Sequence, residues 1–332
     1  MKKISIVVPT YNEESNIVLM INTLERIMQD DLKRYDYEII VIDNYSTDRT
    51  REFVKEICGT RKKVKAIFNA KNFGHSNSPY YGLLQMTGDC VIAIVADFQD
   101  PPEMIIDLVK KWEEGYRIVI GVKTKSKESK TIYFLRNCYY KTLKKIANVE
   151  QIEQFTGFGL YDRSFIEVLK ELKDPMPYFR GIVSELGFKR ATIEYTQSKR
   201  ERGKSKNNFF TLFDLGMLGI TSYSKAILRL ATIGGFLISG LSFIMGIIYF
   251  VMKLLYWDRF MAGMAPILIG MFFLGAVQLF FIGFLGEYIM NINIRIMNRP
   301  LVVEECRINF DKESEEMGEA LNEQSSNNSK IG

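Results

Sequence analysis

"VIAIVADFQDPPE", residues 91–103, decides the fold. It opens on an unbroken apolar run from Val91 to Ala96, suited to a strand covered on both faces. It then delivers Asp97, Asp100 and Glu103 together with Pro101 and Pro102, and a helical pattern follows. A fully apolar strand that ends in carboxylates belongs in an open α/β sheet, where ligands bind beyond the carboxyl ends of the strands.

Reading outward, the first 125 residues repeat that alternation. "ISIVVPT", "YEIIVIDN", "VKAIFN", "CVIAIVA" and "YRIVIGVK" are short Ile/Val-rich runs. Between them lie "EESNIVLMINTLERIMQ", "STDRTREFVKEIC", "SNSPYYGLLQMTG" and "PPEMIIDLVKKWEEG", each with helical spacing. Strands alternating with helices predict an α/β fold with a mostly parallel sheet. Its carboxyl rim would gather Thr10–Glu13, Asp43–Asp48 and Asp97–Glu103. Capping a helix explains either of the first two turns taken singly, because helix N-termini carry unsatisfied amides. Two such turns beside an acidic third exceed what caps require.

The formal net charge is +5, but the tail from Asp311 to Gly332 holds six acids against two lysines, so the rest of the chain carries +9. That balance suits a membrane face or a phosphorylated substrate rather than nucleic acid. Four cysteines without CxxC spacing and a single histidine, His75, argue against a zinc site or a disulfide framework. The tail is Ser/Asn/Glu-rich and is expected to be disordered.

Two stretches change the class of the chain. Residues 230–252 contain 23 consecutive uncharged positions and residues 260–286 contain 27. At about 1.5 Å per residue either can cross a hydrocarbon core of roughly 30 Å. They predict a transmembrane hairpin followed by a return segment over 287–310. An interfacial amphipathic helix is expected over 207–229, carrying Phe209, Phe210, Phe213 and Leu215; a helix packed on the N-terminal domain fits that pattern equally well. Lys225 and Arg229 before the first span and Arg295 and Arg299 after the second place the N-terminal domain, residues 1–206, in the cytoplasm.

With these pieces in order, "VVPTYNEE", "VIDNYSTD", "ADFQDPPE", "FTGFGLYDR" and "RERGKSK", the chain resembles the family-2 glycosyltransferases of GT-A fold. More narrowly it resembles the polyprenyl-phosphate glycosyltransferases, the dolichyl-phosphate-mannose-synthase-like group. The resemblance implies a Rossmann-like GT-A sheet with a C-terminal two-helix hairpin. It also implies transfer of one sugar, glucose or an N-acetylhexosamine, from a UDP donor to undecaprenyl phosphate at the inner membrane. Pro9, Tyr11, Glu13, Asp43, Asp97 and Gln99 match nucleotide-sugar positions. Asp97 and Gln99 match metal contacts for Mg²⁺ or Mn²⁺, with Val95 standing where the family motif has its first acid. Asp97 and Arg200 fall at motif positions and, with Asp100 as the acid that would compensate for Val95, are the catalytic candidates. Lys123, Lys125, Arg136, Arg200, Ser205 and Lys206 match the cations and polar groups that take the acceptor phosphate. Relatives suggest a homo-oligomer, and the product implies a flippase partner. A silent scaffold that kept the nucleotide-binding fold, or a transferase extending a lipid-linked glycan, are the alternatives.

Overall fold

The computed structural model describes residues 1–125, 152, 154–197, 226–255 and 264–310. Arg136, Arg200, Ser205, Lys206, the expected interfacial helix up to residue 225 and the tail from 311 lie outside them.

One unit is built on an eight-stranded sheet, ordered β7-β5-β6-β4-β1-β2-β3-β8. The strands are β1 (Lys3–Thr10), β2 (Asp36–Asp43), β3 (Val64–Asn69), β4 (Cys90–Ala93), β5 (Ile118–Lys125), β6 (Phe155–Asp162), β7 (Arg190–Thr196) and β8 (Glu304–Ile308). β1 pairs in parallel with β2 and β4, β2 with β3, and β5 with β7; β6 and β8 run antiparallel to their neighbours. The expected mostly parallel α/β sheet is therefore present. β4 stops at Ala93, before the expected Ala96, although Ile94 and Ala96 remain buried.

Helices cover both faces, which is why the central strands read as continuous apolar runs. α1 (Ile17–Asp30), α2 (Thr50–Thr60) and α4 (Met104–Glu113) bury Leu24, Val54 and Leu108 against Ile6, Ile39 and Ile92. On the other face α3 (Gly74–Leu84), α5 (Arg163–Leu172) and α6 (Phe179–Glu185) bury Leu83, Phe165 and Ile182 against Val7, Ile40 and Ile118. Odd and even residues of one strand thus feed two separate cores, as a period of two requires.

β6 is the insertion that the alternating pattern did not forecast. It wedges between β4 and β5, and glycine makes that possible: a Cβ on Gly159 would lie 2.5 Å from the Val119 carbonyl oxygen. Gly157 instead needs its positive φ of 104°. Asp162 and Arg163 do not pair with each other. Asp162 caps α5 through Ser164 and accepts from Trp112 (2.7 Å) and Arg117 (2.9 Å), while Arg163 donates to the Gly88 and Thr87 carbonyls. Phe179 packs among Tyr80, Phe155 and Tyr161.

The second unit contains α7 (Ala226–Leu255) and α8 (Met264–Met297), the latter up to Asn293. Within them Thr232–Met252 and Phe273–Met297 are long and apolar enough to cross a membrane by length and composition. α8 continues through residues expected in the return segment. The chain then re-enters the sheet as β8, so the last described strand belongs to the N-terminal domain.

Candidate functional site

Three turns leave the carboxyl ends of β1, β2 and β4, and each contains a non-glycine residue at left-handed φ: Asn12 (58°), Tyr45 (69°) and Phe98 (56°). Such residues cost energy and persist where surrounding bonds fix them, commonly at functional sites.

The first two turns are latched together. Asn12 N–H donates to Ser46 Oγ (2.8 Å) and Thr47 N–H to Asn12 Oδ1 (2.8 Å). Glu13 N–H reaches Thr50 Oγ1 (2.9 Å), Asn44 N–H reaches the Thr10 carbonyl (2.9 Å) and Arg49 N–H reaches Glu14 Oε2 (3.0 Å). Much of the shared polar signature of "PTYNEE" and "DNYSTD" is this reciprocal clasp. Glu13, expected to line a nucleotide, is buried, and its Oε2 accepts from Asn16 Nδ2 (2.8 Å) at the start of α1. Pro9 and Tyr11 flank Thr10 and are half-buried.

Asp43, the last residue of β2, is 0% exposed. Its Oδ2 accepts from Ser46 N–H (3.1 Å) and lies 3.2 Å from Arg51 Nε. That approach is an ion pair by distance but is not aligned as a hydrogen bond. Asp43 Oδ1 and Arg51 Nε are therefore buried without a hydrogen-bond partner. Burial pushes the Asp43 carboxyl above the ordinary aspartate range, and Ser46 and Arg51 oppose the shift without overturning it. Sequence reasoning passed over Arg51; a cation in the first turn of α2, against the helix dipole, was the available signal.

The third turn holds the other acids. Asp97 is half-buried and its Oδ1 accepts from Gln99 N–H (3.2 Å). Asp100 is buried, and its Oδ1 accepts from the Tyr195 hydroxyl of β7. Burial raises the Asp100 carboxyl, with Asp97 adding to the shift and Tyr195 and Lys123 opposing it. Lys123 of β5 thus acts electrostatically on Asp100, while the Lys125 side chain is outside the described atoms. His75 opens α3 and is exposed.

Among the described residues no group of three His, Cys, Asp or Glu side chains could cage a metal ion. Asp97 and Gln99 nonetheless bring one carboxylate and one amide to the same turn. Those oxygen donors fit a hard cation that completes its shell with diphosphate and water. Val95, at the place of the missing acid, is 37% exposed.

A mostly parallel α/β sheet with acids on its carboxyl rim defines the class of architecture. The chain belongs to glycosyl transferase family 2, whose sequence profile matches residues 5–169, and it is a glycosyltransferase. It is 33% identical over 301 residues to the uncharacterized glycosyltransferase YkcC of Bacillus subtilis, covering 90% of this chain and 92% of the relative. It is also 33% identical over 299 residues to the SfII prophage-derived bactoprenol glucosyl transferase of Shigella flexneri, covering 90% and 96%. Among solved structures it is similar to the mannosyltransferase PcManGT from Pyrobaculum calidifontis in complex with GDP-Man and Mn²⁺, at 19% identity and a TM-score of 0.44, covering 66% of this chain and 62% of the other. The expected family is borne out.

Proposed function

We propose that this chain moves one hexose from a nucleoside-diphosphate sugar, a UDP-sugar with glucose as first choice, to undecaprenyl phosphate. The observation that carries the reading is the gathering of Asp43, Asp97 and Lys123 on one carboxyl rim, in a chain that continues into two membrane-length helices. Similarity to bactoprenol glucosyl transferases along 90% of the chain, membrane segments included, supports a lipid-phosphate acceptor.

The buried, unpartnered Asp43 Oδ1 suits an N–H of the nucleobase, with Pro9, Tyr11 and Glu13 on the adjoining turn after β1 as further donor contacts. Asp97 and Gln99 would hold Mg²⁺ or Mn²⁺ against the donor diphosphate, which supplies neutralisation of the charge developing on the leaving group. An acceptor phosphate oxygen forms a bond to the anomeric carbon as the carbon–oxygen bond to the nucleoside diphosphate breaks, inverting that centre. The acceptor is already anionic, so no strong base is needed. Lys123, Lys125, Arg136, Arg200, Ser205 and Lys206 supply its recognition, the lysines as point charges and the arginines through paired N–H groups. Asp100, bonded to Tyr195, positions the turn rather than touching the sugar.

In this reading the two membrane-length helices form a hairpin, which is supported by β8 joining the same sheet as β3, and the flanking cations favour the cytoplasmic face for the domain. A product made there needs a flippase, and a homo-oligomer fits small residues such as Gly235 and Gly270 in the two long helices. Val95 in place of an acid favours the silent-scaffold alternative. The test is to incubate membranes holding the full chain with radiolabelled UDP-sugars, undecaprenyl phosphate and Mg²⁺ or Mn²⁺. A lipid-extractable, mild-acid-labile product is expected, and Asp97→Ala should lower its formation by about 100-fold or more with insertion intact. No product with any common donor would sink the transferase reading.

A further inference from the structure

The strand that follows the second membrane-length helix reaches the same acid from behind. Glu305 lies in β8, at a break in its register with β3. Phe68 pairs with Cys306 and Asn69 with Glu304, so Glu305 is the extra residue of a β-bulge. Bulges re-aim side chains and are concentrated beside active sites. Here the bulged side chain reaches Arg51: Glu305 Oε2 accepts from Arg51 Nη2 at 2.7 Å. Arg51 in turn sets its Nε 3.2 Å from Asp43 Oδ2, and its guanidinium lies over the Phe68 ring at 5.0 Å. The three charged groups step inward from a half-exposed glutamate through a mostly covered arginine to a fully buried aspartate.

Arg51 is badly placed for stability alone. It occupies the first turn of α2, where the helix dipole disfavours a cation. Its Nε–H lacks a hydrogen bond, as does Asp43 Oδ1 beside it. A pair satisfied within the fold would have aligned those two atoms. This pair is held slightly apart, with the arginine drawn toward Glu305, and the inner carboxylate oxygen is left open.

We infer that Glu305 is a positioning residue for nucleotide selection: it anchors Arg51 so that Asp43 presents Oδ1 to a ring N–H of the base. The C-terminal return strand is thereby part of the donor site. This rests on the reading of Asp43 given above. A base with an N–H between or beside carbonyl carbons, as in uracil and guanine, satisfies Oδ1. Cytosine and adenine place a lone pair there and leave the carboxylate opposed.

The test uses the full chain in detergent and measures affinity for UDP against CDP, and for GDP against ADP, reading whichever pair binds more tightly. The wild-type chain should favour the N–H-bearing base. Glu305→Gln, nearly isosteric, should cut that preference roughly 2- to 5-fold, the upper range of a half-exposed ion pair. Arg307→Ala removes the pair that β8 makes with its own Glu304; it should leave the preference intact even where it lowers melting temperature. Glu305→Gln with undiminished preference, while Asp43→Asn loses it, would overturn the relay alone. An equal loss in Arg307→Ala would overturn it too, because docking of the strand would then be the whole effect. If Asp43→Asn keeps the wild-type preference, the donor-site reading and this inference fall together.

Discussion

Glu38 and Asp43 stand at opposite ends of β2, and both are buried. Glu38 lies at the amino end among complete partners: Lys3 at 3.0 Å, Lys65 at 2.8 Å, the Ser5 hydroxyl at 2.5 Å, and the Thr87 N–H and hydroxyl at 2.8 Å each. Burial alone would raise its carboxyl, but Lys65 and Ser5 outweigh burial and bring it down to about 2. Asp43 at the carboxyl end keeps one oxygen without a partner, and burial raises its carboxyl instead. A strand can afford one acid that is satisfied by its own fold and one that is not. The unsatisfied acid is on the rim where α/β sheets bind ligands, and perturbed, incompletely paired acids mark such sites.

The largest effect is expected at the satisfied end. The depression of Glu38 from 4.5 to about 2 corresponds to about 3 kcal/mol of stability. Glu38→Gln should remove about that much at neutral pH, measured by denaturant unfolding. Transfer activity per folded molecule should stay near wild type, because this residue is at the other end of the strand. A variant as stable as the parent would show that Lys3 and Lys65 do not stabilise Glu38.

Asp43→Asn should behave in the opposite way. Loss of a charge-assisted hydrogen bond to the base is worth about 1.5–3 kcal/mol, so nucleotide affinity should fall roughly 10- to 100-fold. The unliganded variant should nevertheless melt no lower than the parent, because a buried carboxyl raised by desolvation destabilises the fold at neutral pH. Arg51 keeps Glu305 as a partner, so the substitution leaves no cation stranded. A variant that loses stability together with affinity would make Asp43 another Glu38 and erase the contrast.

Much of this contrast was legible in the sequence. The apolar runs ending in acids marked β1, β2 and β4 and their shared rim, since strands buried on both faces leave polarity only at their ends. Glu38 inside "YEIIVID" was a signal left unread: a lone acid in such a run needs cations on neighbouring strands, and Lys3 and Lys65 sit on β1 and β3. β6 and β8 were not legible. β6 reads "FTGFGLYD", in which glycines needed for close approach interrupt any period, and β8 reads "EECRI", polar because it lies at an edge. Arg51 and Glu305 come together only through β8, so no local pattern could pair them.

Asp100 is intermediate, a buried rim acid with a hydrogen bond from Tyr195. Tyr195→Phe removes that donor and should cost about 1 kcal/mol of stability, within the range for an unsatisfied buried group. The readout that separates positioning from packing is the pH–rate profile. The acidic limb should move to higher pH in Tyr195→Phe, because the bond favours the ionised carboxylate. An unmoved limb would detach Asp100 from turnover.

The smallest effect is a slope. Asp43 is raised in the folded chain, so its contribution is most favourable below the ordinary aspartate value of 3.8, where folded and unfolded states are both protonated. As pH rises past that value the unfolded chain ionises before the folded one, and stability is lost until the folded carboxyl has also ionised. Glu38 works in the other direction: its contribution is complete above 4.5 and is lost only as pH falls toward about 2. Above the ordinary aspartate value the rim acids Asp43 and Asp100 lower stability as pH rises, and Glu38 is constant above 4.5. His75, lowered by desolvation and by Arg180, adds stability as pH rises toward 6.5. Melting temperatures of the wild-type chain and Asp43→Asn, followed in detergent as pH rises from the ordinary aspartate value, should diverge until the folded carboxyl has ionised, the variant gaining. A difference that stays constant would mean that Asp43 ionises in the fold as readily as in the unfolded chain, and that the open end of β2 is as well satisfied as the closed one.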